Sequence, residues 1–154
     1  MRFFLNLLNM ISFCFFIAII TYLILNWSTI PNTIPIHFSS AGEVDDWGSK
    51  YILWFLPIFS AVLWIGSTIM ERFPNSFSYI VEITEENREK QQQNVLIMLK
   101  VLKNETMIML LTFSVFTIRT SVGLGFNGFY STLILSMVVI TATCFFFIIR
   151  SLRI

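Results

Sequence analysis

The sequence predicts an all-α membrane protein with four transmembrane helices, a structured outer loop and a long third helix that extends into the cytoplasm. Hydrophobic residues make up 56% of the 154-residue chain and charged residues only 12%, whereas a typical soluble domain has about 45–50% and about 25%. Several uncharged runs are long enough for a helix of about 20 residues to cross a bilayer. The formal net charge of +1 excludes a general attraction to nucleic acid as the basis of function.

The predicted crossings form a single domain over residues 1–154, at about 3–25, 51–70, 102–122 and 129–149. The first apolar run is longer than the about 7–15 residues of a signal-peptide core, so we expect a retained helix. In the second crossing, Pro57 is expected to lie two turns inside the helix and to kink it, because proline cannot donate a backbone hydrogen bond. Three glycines before the fourth crossing predict a turn.

The third crossing is the least apolar, because basic residues lie at its start. We expect Lys100 and Lys103 to lay their methylene stems along the helix and to place their ammonium groups in the headgroup layer. Upstream, residues 77–83 alternate between apolar and polar as a strand does, and Thr84 is a good helix N-cap. No helix breaker occurs over residues 85–122, so a single helix about 55 Å long is predicted.

The distribution of basic residues predicts the orientation. Lys50 and Arg119 fall on one side of the predicted crossings. The other eight basic residues fall on the opposite side, at the termini or in the 71–105 segment: Arg2, Arg72, Arg88, Lys90, Lys100, Lys103, Arg150 and Arg153. Because cytoplasmic loops carry an excess of Lys and Arg, both termini are expected to face the cytoplasm.

The outer loop, residues 26–50, contains most of the local structure signals outside the helices. Pro31 and Pro35 favour extended backbone in the residues that precede them. Apolar side chains alternate over residues 34–38. This pattern predicts a short strand or a polyproline-like stretch with one apolar edge.

The second half of the same loop is predicted to turn back toward the membrane. Gly42 allows a turn, and residues 45–49 are expected to form a tight turn that leads into the second helix, with Ser49 as its N-cap. Trp47 supplies a large ring that is expected to anchor the loop at the membrane interface, where aromatic rings with polar edges are favoured.

One group of side chains in the outer loop contains residue types that bind metal: His37, Glu43, Asp45 and Asp46. Imidazole and carboxylate groups suit zinc or manganese. A single histidine with no second His or Cys nearby is, however, a poor zinc site. We therefore expect His37 to donate to a loop carbonyl or carboxylate, and no metal or other cofactor is predicted.

Glu105 is the acid closest to the lipid and is a candidate functional residue for that reason. It lies about one turn beyond the nearest basic residues, so we expect it to pair with a cation from another helix near the inner headgroup boundary. A proton or substrate role is the alternative. The sequence contains no phosphate-binding glycine loop, no Cys-x-x-Cys and no HExxH motif, and an enzyme is not predicted.

Residues 34–50 read IPIHFSSAGEVDDWGSK and resemble the signature of a bacterial membrane family called domain of unknown function 1648. The matching positions are Ile34, Pro35, His37, Phe38, Gly42, Asp45, Trp47 and Lys50. Residues 77–87 and 99–105 are similar to a second stretch of that family. The family is related to the N-terminal part of Sdp-type toxin-immunity proteins of Gram-positive bacteria, so the resemblance implies a multi-pass protein of the bacterial plasma membrane.

These observations together predict a non-catalytic recognition or regulatory role, in toxin immunity or envelope stress. The motif residues of the outer loop are the predicted site, and a peptide or protein is the predicted partner in addition to the bilayer. Self-association stays open. Two alternatives also stay open: a small four-helix transporter subunit, which requires an acid at mid-membrane, and a membrane metalloenzyme that uses the outer loop.

Overall fold

The computed structural model describes residues 2–39, 43–125 and 128–154. Its helices and strands are α1 (Arg2–Asn26), β1 (Thr33–Phe38), β2 (Val44–Ser49), a 3₁₀ turn (Lys50–Trp54), α2 (Phe55–Met70), a second 3₁₀ turn (Pro74–Ser76), α3 (Arg88–Ser121) and α4 (Phe129–Ser151). β1 and β2 pair in the antiparallel direction. The helices confirm the predicted mainly helical fold, but the prediction of an all-α protein was incomplete, because it did not include the small two-stranded sheet.

In the part of the chain that the structure describes, three helical segments are long and apolar enough to cross a membrane: α1, Lys50–Met70 and α4. They correspond to the first, second and fourth predicted crossings. The predicted long helix is also present, because α3 runs for 34 residues, or about 51 Å. That α3 crosses the membrane stays a prediction, as does the orientation.

α3 is the central helix of the bundle, packing against α1, α2 and α4. The buried core contains side chains from α1, the loop and strand after it, the 3₁₀ turn and α3: Ile19, Leu23, Ile30, Ile34, Leu53, Met107, Leu111 and Ile118. α1, α2 and α4 expose many large apolar side chains on their outer faces. The helix that carries most of the charge therefore lies inside, and the apolar helices surround it.

The strand predicted over residues 34–38 is confirmed as part of β1, but the tight turn predicted over residues 45–49 is wrong. These residues lie in β2, where Ile34 is opposite Gly48 and Pro35 is opposite Trp47. Pairing satisfies the backbone donors and acceptors that a lone β1 would leave open. Ser49 does cap the next helical turn, as predicted, since its hydroxyl accepts from the Tyr51 N–H at 3.5 Å.

Pro57 lies about two turns inside the helical segment Lys50–Met70, as predicted. The segment changes from the 3₁₀ turn to α2 at Phe55, so Pro57 falls in the first α-helical turn, where a missing N–H is tolerated. Residues 77–83 form neither a strand nor a helix. The predicted turn before α4 is supported by positive φ angles at Gly123, Gly125 and Gly128.

α3 begins three residues later than predicted. The Thr84 hydroxyl accepts from the Asn87 N–H at 3.3 Å, and the Asn87 side-chain oxygen accepts from the Thr84 N–H at 2.9 Å. These reciprocal bonds close a turn at residues 84–87. The helix therefore starts after this turn, at Arg88.

Candidate functional site

The β1–β2 hairpin is attached to the bundle by Lys50, which is only 8% exposed. Its ammonium group donates to the carbonyls of Trp27 at 2.8 Å and Ile30 at 3.1 Å, and it lies 4.8 Å from the centre of the Trp27 ring. Both carbonyls follow the end of α1, where helices leave acceptors unpaired. Lys50 therefore joins the base of the hairpin to the end of α1.

Apolar contacts fix the start of β1 on the bundle. Ile34 and Pro35 are buried, and Ile34 packs in the same core cluster as Leu23 and Leu111. Within the hairpin, a Cβ atom on Gly48 would lie 2.8 Å from Cδ1 of Ile36, so glycine leaves room for that side chain. The base of the hairpin is thus packed onto the bundle, and its two strands pack against each other.

The rest of the hairpin carries exposed polar and aromatic groups. Nδ1 of His37 lies 2.6 Å from Oδ1 of Asp45, and both side chains are exposed. The carboxylate of Asp46 accepts from the Trp47 N–H at 2.8 Å. The Trp47 side chain is 58% exposed. We use the name display face for the exposed residues of the hairpin, which come from both surfaces of the two-stranded sheet because side chains alternate along a strand: Ile36, His37, Glu43, Asp45, Asp46 and Trp47.

The carboxylate expected to partner His37 is thus Asp45. No group of three or more His, Cys, Asp or Glu side chains in the described ranges has a geometry suited to a metal ion. One of the acids considered as a ligand, Asp46, instead binds the backbone of the next residue. The display face is arranged for surface contacts, with acidic groups beside an indole ring.

Most predicted motif residues come together in this one hairpin. Pro35 and Lys50 are buried, whereas His37, Asp45 and Trp47 are exposed. Phe38 ends β1, where its backbone is opposite Val44. Gly42 lies outside the described residues.

Glu105 lies elsewhere, where α3 contacts α4. Its Oε1 accepts from the Thr143 hydroxyl at 2.8 Å, and its buried Oε2 has no hydrogen-bond partner. The expected pairing with a cation is wrong: within the described ranges, no Lys, Arg or His lies within salt-bridge distance of Glu105. Lys103 precedes Glu105 by two residues, or about 200° around the helix, and faces Glu71 instead.

Lys103 and Glu71 form a buried ion pair between α3 and the end of α2. The Lys103 ammonium also donates to the Thr68 hydroxyl at 2.9 Å and lies 4.5 Å from the centre of the Trp64 ring. Lys103 is 6% exposed, so its ammonium group lies inside the bundle, where Glu71 supplies its counter-charge. Its position relative to the headgroup layer stays a prediction.

The sequence reasoning missed Asn104, which is completely buried. Its Oδ1 accepts from the Ser12 hydroxyl and from the Trp64 indole N–H, the latter at 3.1 Å. Its Nδ2 donates at 2.7 Å to both the Asn9 side-chain oxygen and the Lys100 carbonyl. Asn104 therefore links α1, α2 and α3. In the sequence, the signal for this role was the presence of an amide side chain within a predicted crossing.

Comparison with known proteins finds one family match. Residues 14–61 match the model of a family described as Domain of unknown function (DUF1648). This segment contains the second half of α1, the hairpin and the start of α2, and the match supports the resemblance found in the motif of residues 34–50. No curated protein and no solved structure matches the chain.

Proposed function

We propose that this chain is a four-helix protein of the bacterial plasma membrane with both termini in the cytoplasm. We further propose that its hairpin recognises a partner outside the cell without covalent chemistry. The observation that carries the proposal is the contrast between the buried base of the hairpin and its exposed residues. Lys50 and Ile34 hold the base on the bundle, whereas His37, Asp45 and Trp47 are exposed.

The packing of α3 supports its assignment as the third crossing in chain order, in addition to the three apolar segments. Inserting a helix that carries charged and amide side chains costs free energy when lipid surrounds that helix. Here α1, α2 and α4 surround α3, and the polar groups of Asn104 and Lys103 bind partners on those helices or on α3 itself. Four crossings place both termini on one side, as the positive-inside rule requires for this chain.

The display face indicates the chemistry of the partner. Three exposed acids, Glu43, Asp45 and Asp46, lie in the same strand region as the exposed Trp47 ring. Acidic groups attract a cationic partner and increase its association rate, while tryptophan is among the side chains that contribute most to binding energy. A cationic membrane-active peptide has positive charge for the acids and apolar side chains for the Trp47 ring. This match favours a role in immunity or envelope stress.

The proposal is tested by a complementation experiment. A strain that lacks the gene receives the parent, Trp47→Ala or Phe73→Ala and is challenged with a panel of cationic membrane-active peptides. Phe73 is a matched control because it is 57% exposed and lies in the segment after α2. We expect the parent and Phe73→Ala to restore survival and Trp47→Ala to lose most of it at equal protein abundance.

Two results would contradict the proposal. If Trp47→Ala protects as well as the parent, the hairpin is only a connector. If the strain that lacks the gene shows no altered sensitivity to any peptide of the panel, the chemistry assigned to the partner is wrong.

A further inference from the structure

A cavity of about 270 Å³ lies between α3 and α4 beside Glu105. Its other lining residues are uncharged: Ile108, Met109, Thr112, Leu135, Ser136, Val139 and Ile140. Leu135 and Val139 are exposed on the outer face of α4. The cavity is therefore reached through an apolar surface, which is the surface that lipid covers in the four-helix arrangement.

Glu105 is the acidic residue that lines this cavity, and one of its two carboxylate oxygens lacks a partner. Oε1 is occupied by Thr143, but Oε2 is buried and accepts no hydrogen bond. An ionised carboxylate buried without a counter-charge is strongly unfavourable. The nearest basic residues on α3, Lys100 and Lys103, are engaged by Glu71, so they do not supply that charge.

We infer that the α3–α4 cavity is a binding site for the ammonium group of a primary alkylamine, with Glu105 as its counter-charge. A primary ammonium supplies both the positive charge and the N–H donors that the Glu105 carboxylate accepts once its side chain turns toward the cavity. The alkyl chain then packs against the apolar side chains of Ile108, Leu135 and Ile140. This site is separate from the hairpin and does not depend on the recognition role proposed for the hairpin, but the exposure of its mouth to lipid rests on the proposed four-helix arrangement.

The cavity favours a free amine over the ammonium headgroup of a phospholipid. A phospholipid would bring a phosphate with its ammonium, and no lining residue of the cavity carries a positive charge. The volume is also slightly below the range of about 300–1,000 Å³ typical of small-molecule sites. A single-chain amine of modest size fits both constraints.

The test uses the full chain purified into nanodiscs of phosphatidylcholine, with dodecylamine as the probe and dodecanol as the neutral probe of equal chain length. Tryptophan fluorescence follows thermal unfolding as each probe is titrated. We expect dodecylamine to raise the unfolding midpoint of the parent. Its apparent affinity is expected to fall about tenfold or more in Glu105→Gln, as for the loss of a charged hydrogen bond. Dodecanol should not distinguish the two proteins.

Two further variants keep the test decisive. Glu89→Gln is the matched control, because Glu89 is an exposed acid of the same helix, and it should bind dodecylamine as the parent does. Val139→Phe fills the mouth of the cavity from the exposed side and should also weaken binding about tenfold, even if Glu105→Gln fails to fold.

The inference is overturned if the parent, Glu105→Gln and Val139→Phe bind dodecylamine with affinities that agree within about threefold. A second arm adds phosphatidylethanolamine to the nanodiscs. If that lipid raises the midpoint of the parent but not of Glu105→Gln, while dodecylamine has no effect, the occupant is a lipid headgroup and the assignment of a free amine is wrong.

Discussion

Two buried lysines, Lys50 and Lys103, lie in similar surroundings but bind different partners. Each ammonium group lies over a tryptophan ring, at 4.8 Å from the centre of the Trp27 ring for Lys50 and at 4.5 Å from that of Trp64 for Lys103. Lys50 donates to two neutral carbonyls after the end of α1. Lys103 instead forms an ion pair with Glu71.

This difference distinguishes a lysine that attaches a surface element to the bundle from a lysine that joins two helices within the bundle. The bonds of Lys50 hold a surface element, the hairpin, in one position and leave its display face exposed. The bonds of Lys103 join two helices of the bundle, and the neighbouring amide of Asn104 is occupied in the same way. We therefore assign recognition to the region around Lys50 and a structural role to the region around Lys103.

The largest expected effect comes from breaking the ion pair of Lys103. Glu71→Gln leaves a buried ammonium without its counter-charge, and the free energy of unfolding should fall by about 3–5 kcal/mol. Glu85→Gln, at an exposed acid before α3, is the control and should change it little. Denaturation in detergent measures both variants.

The double variant Glu71→Gln with Lys103→Met sharpens the comparison. Because it removes both charges, it should lose less stability than the sum of the single variants. A Glu71→Gln protein as stable as Glu85→Gln would show that the pair contributes nothing and that the contrast with Lys50 is wrong.

A smaller effect is expected at the hairpin. Lys50→Met keeps an apolar stem but loses two charged hydrogen bonds, which should cost about 2 kcal/mol of unfolding free energy. The hairpin should also become more susceptible to limited proteolysis, because its link to the end of α1 is lost. Unchanged proteolysis of Lys50→Met would show that the core contacts of Ile34 alone hold the hairpin.

The smallest stability effect is expected for Trp47→Ala, the variant that should abolish protection. The Trp47 ring is largely exposed, so its removal should change the free energy of unfolding by no more than about 0.5 kcal/mol. Denaturation of Trp47→Ala and Lys50→Met under the same conditions compares their free energies of unfolding. A loss as large as that of Lys50→Met would mean that Trp47 holds the hairpin rather than contacting a partner.

Apolar run length was sufficient to predict α1, α2 and α4, because a crossing requires about 20 apolar residues wherever it lies in the fold, whereas α3 was predicted from the absence of helix breakers. β2 was missed because Asp45, Asp46 and Gly48 disfavour strands, and pairing with β1 outweighs that local preference. The motif identified Lys50, but its acceptors, the carbonyls of Trp27 and Ile30, are visible only in three dimensions. For the same reason the sequence placed Glu105 in a crossing but could not show which helix it faces.

The account depends most directly on the hairpin lying outside the cell. With Cys14 and Cys144 replaced by serine, Val44→Cys places a single thiol on exposed β2, and Gln93→Cys places one on exposed α3. In intact cells, an impermeant maleimide should label Val44→Cys, and it should label Gln93→Cys only after permeabilisation. Labelling of Gln93→Cys but not Val44→Cys in intact cells would contradict the account, because the display face would then lie in the cytoplasm.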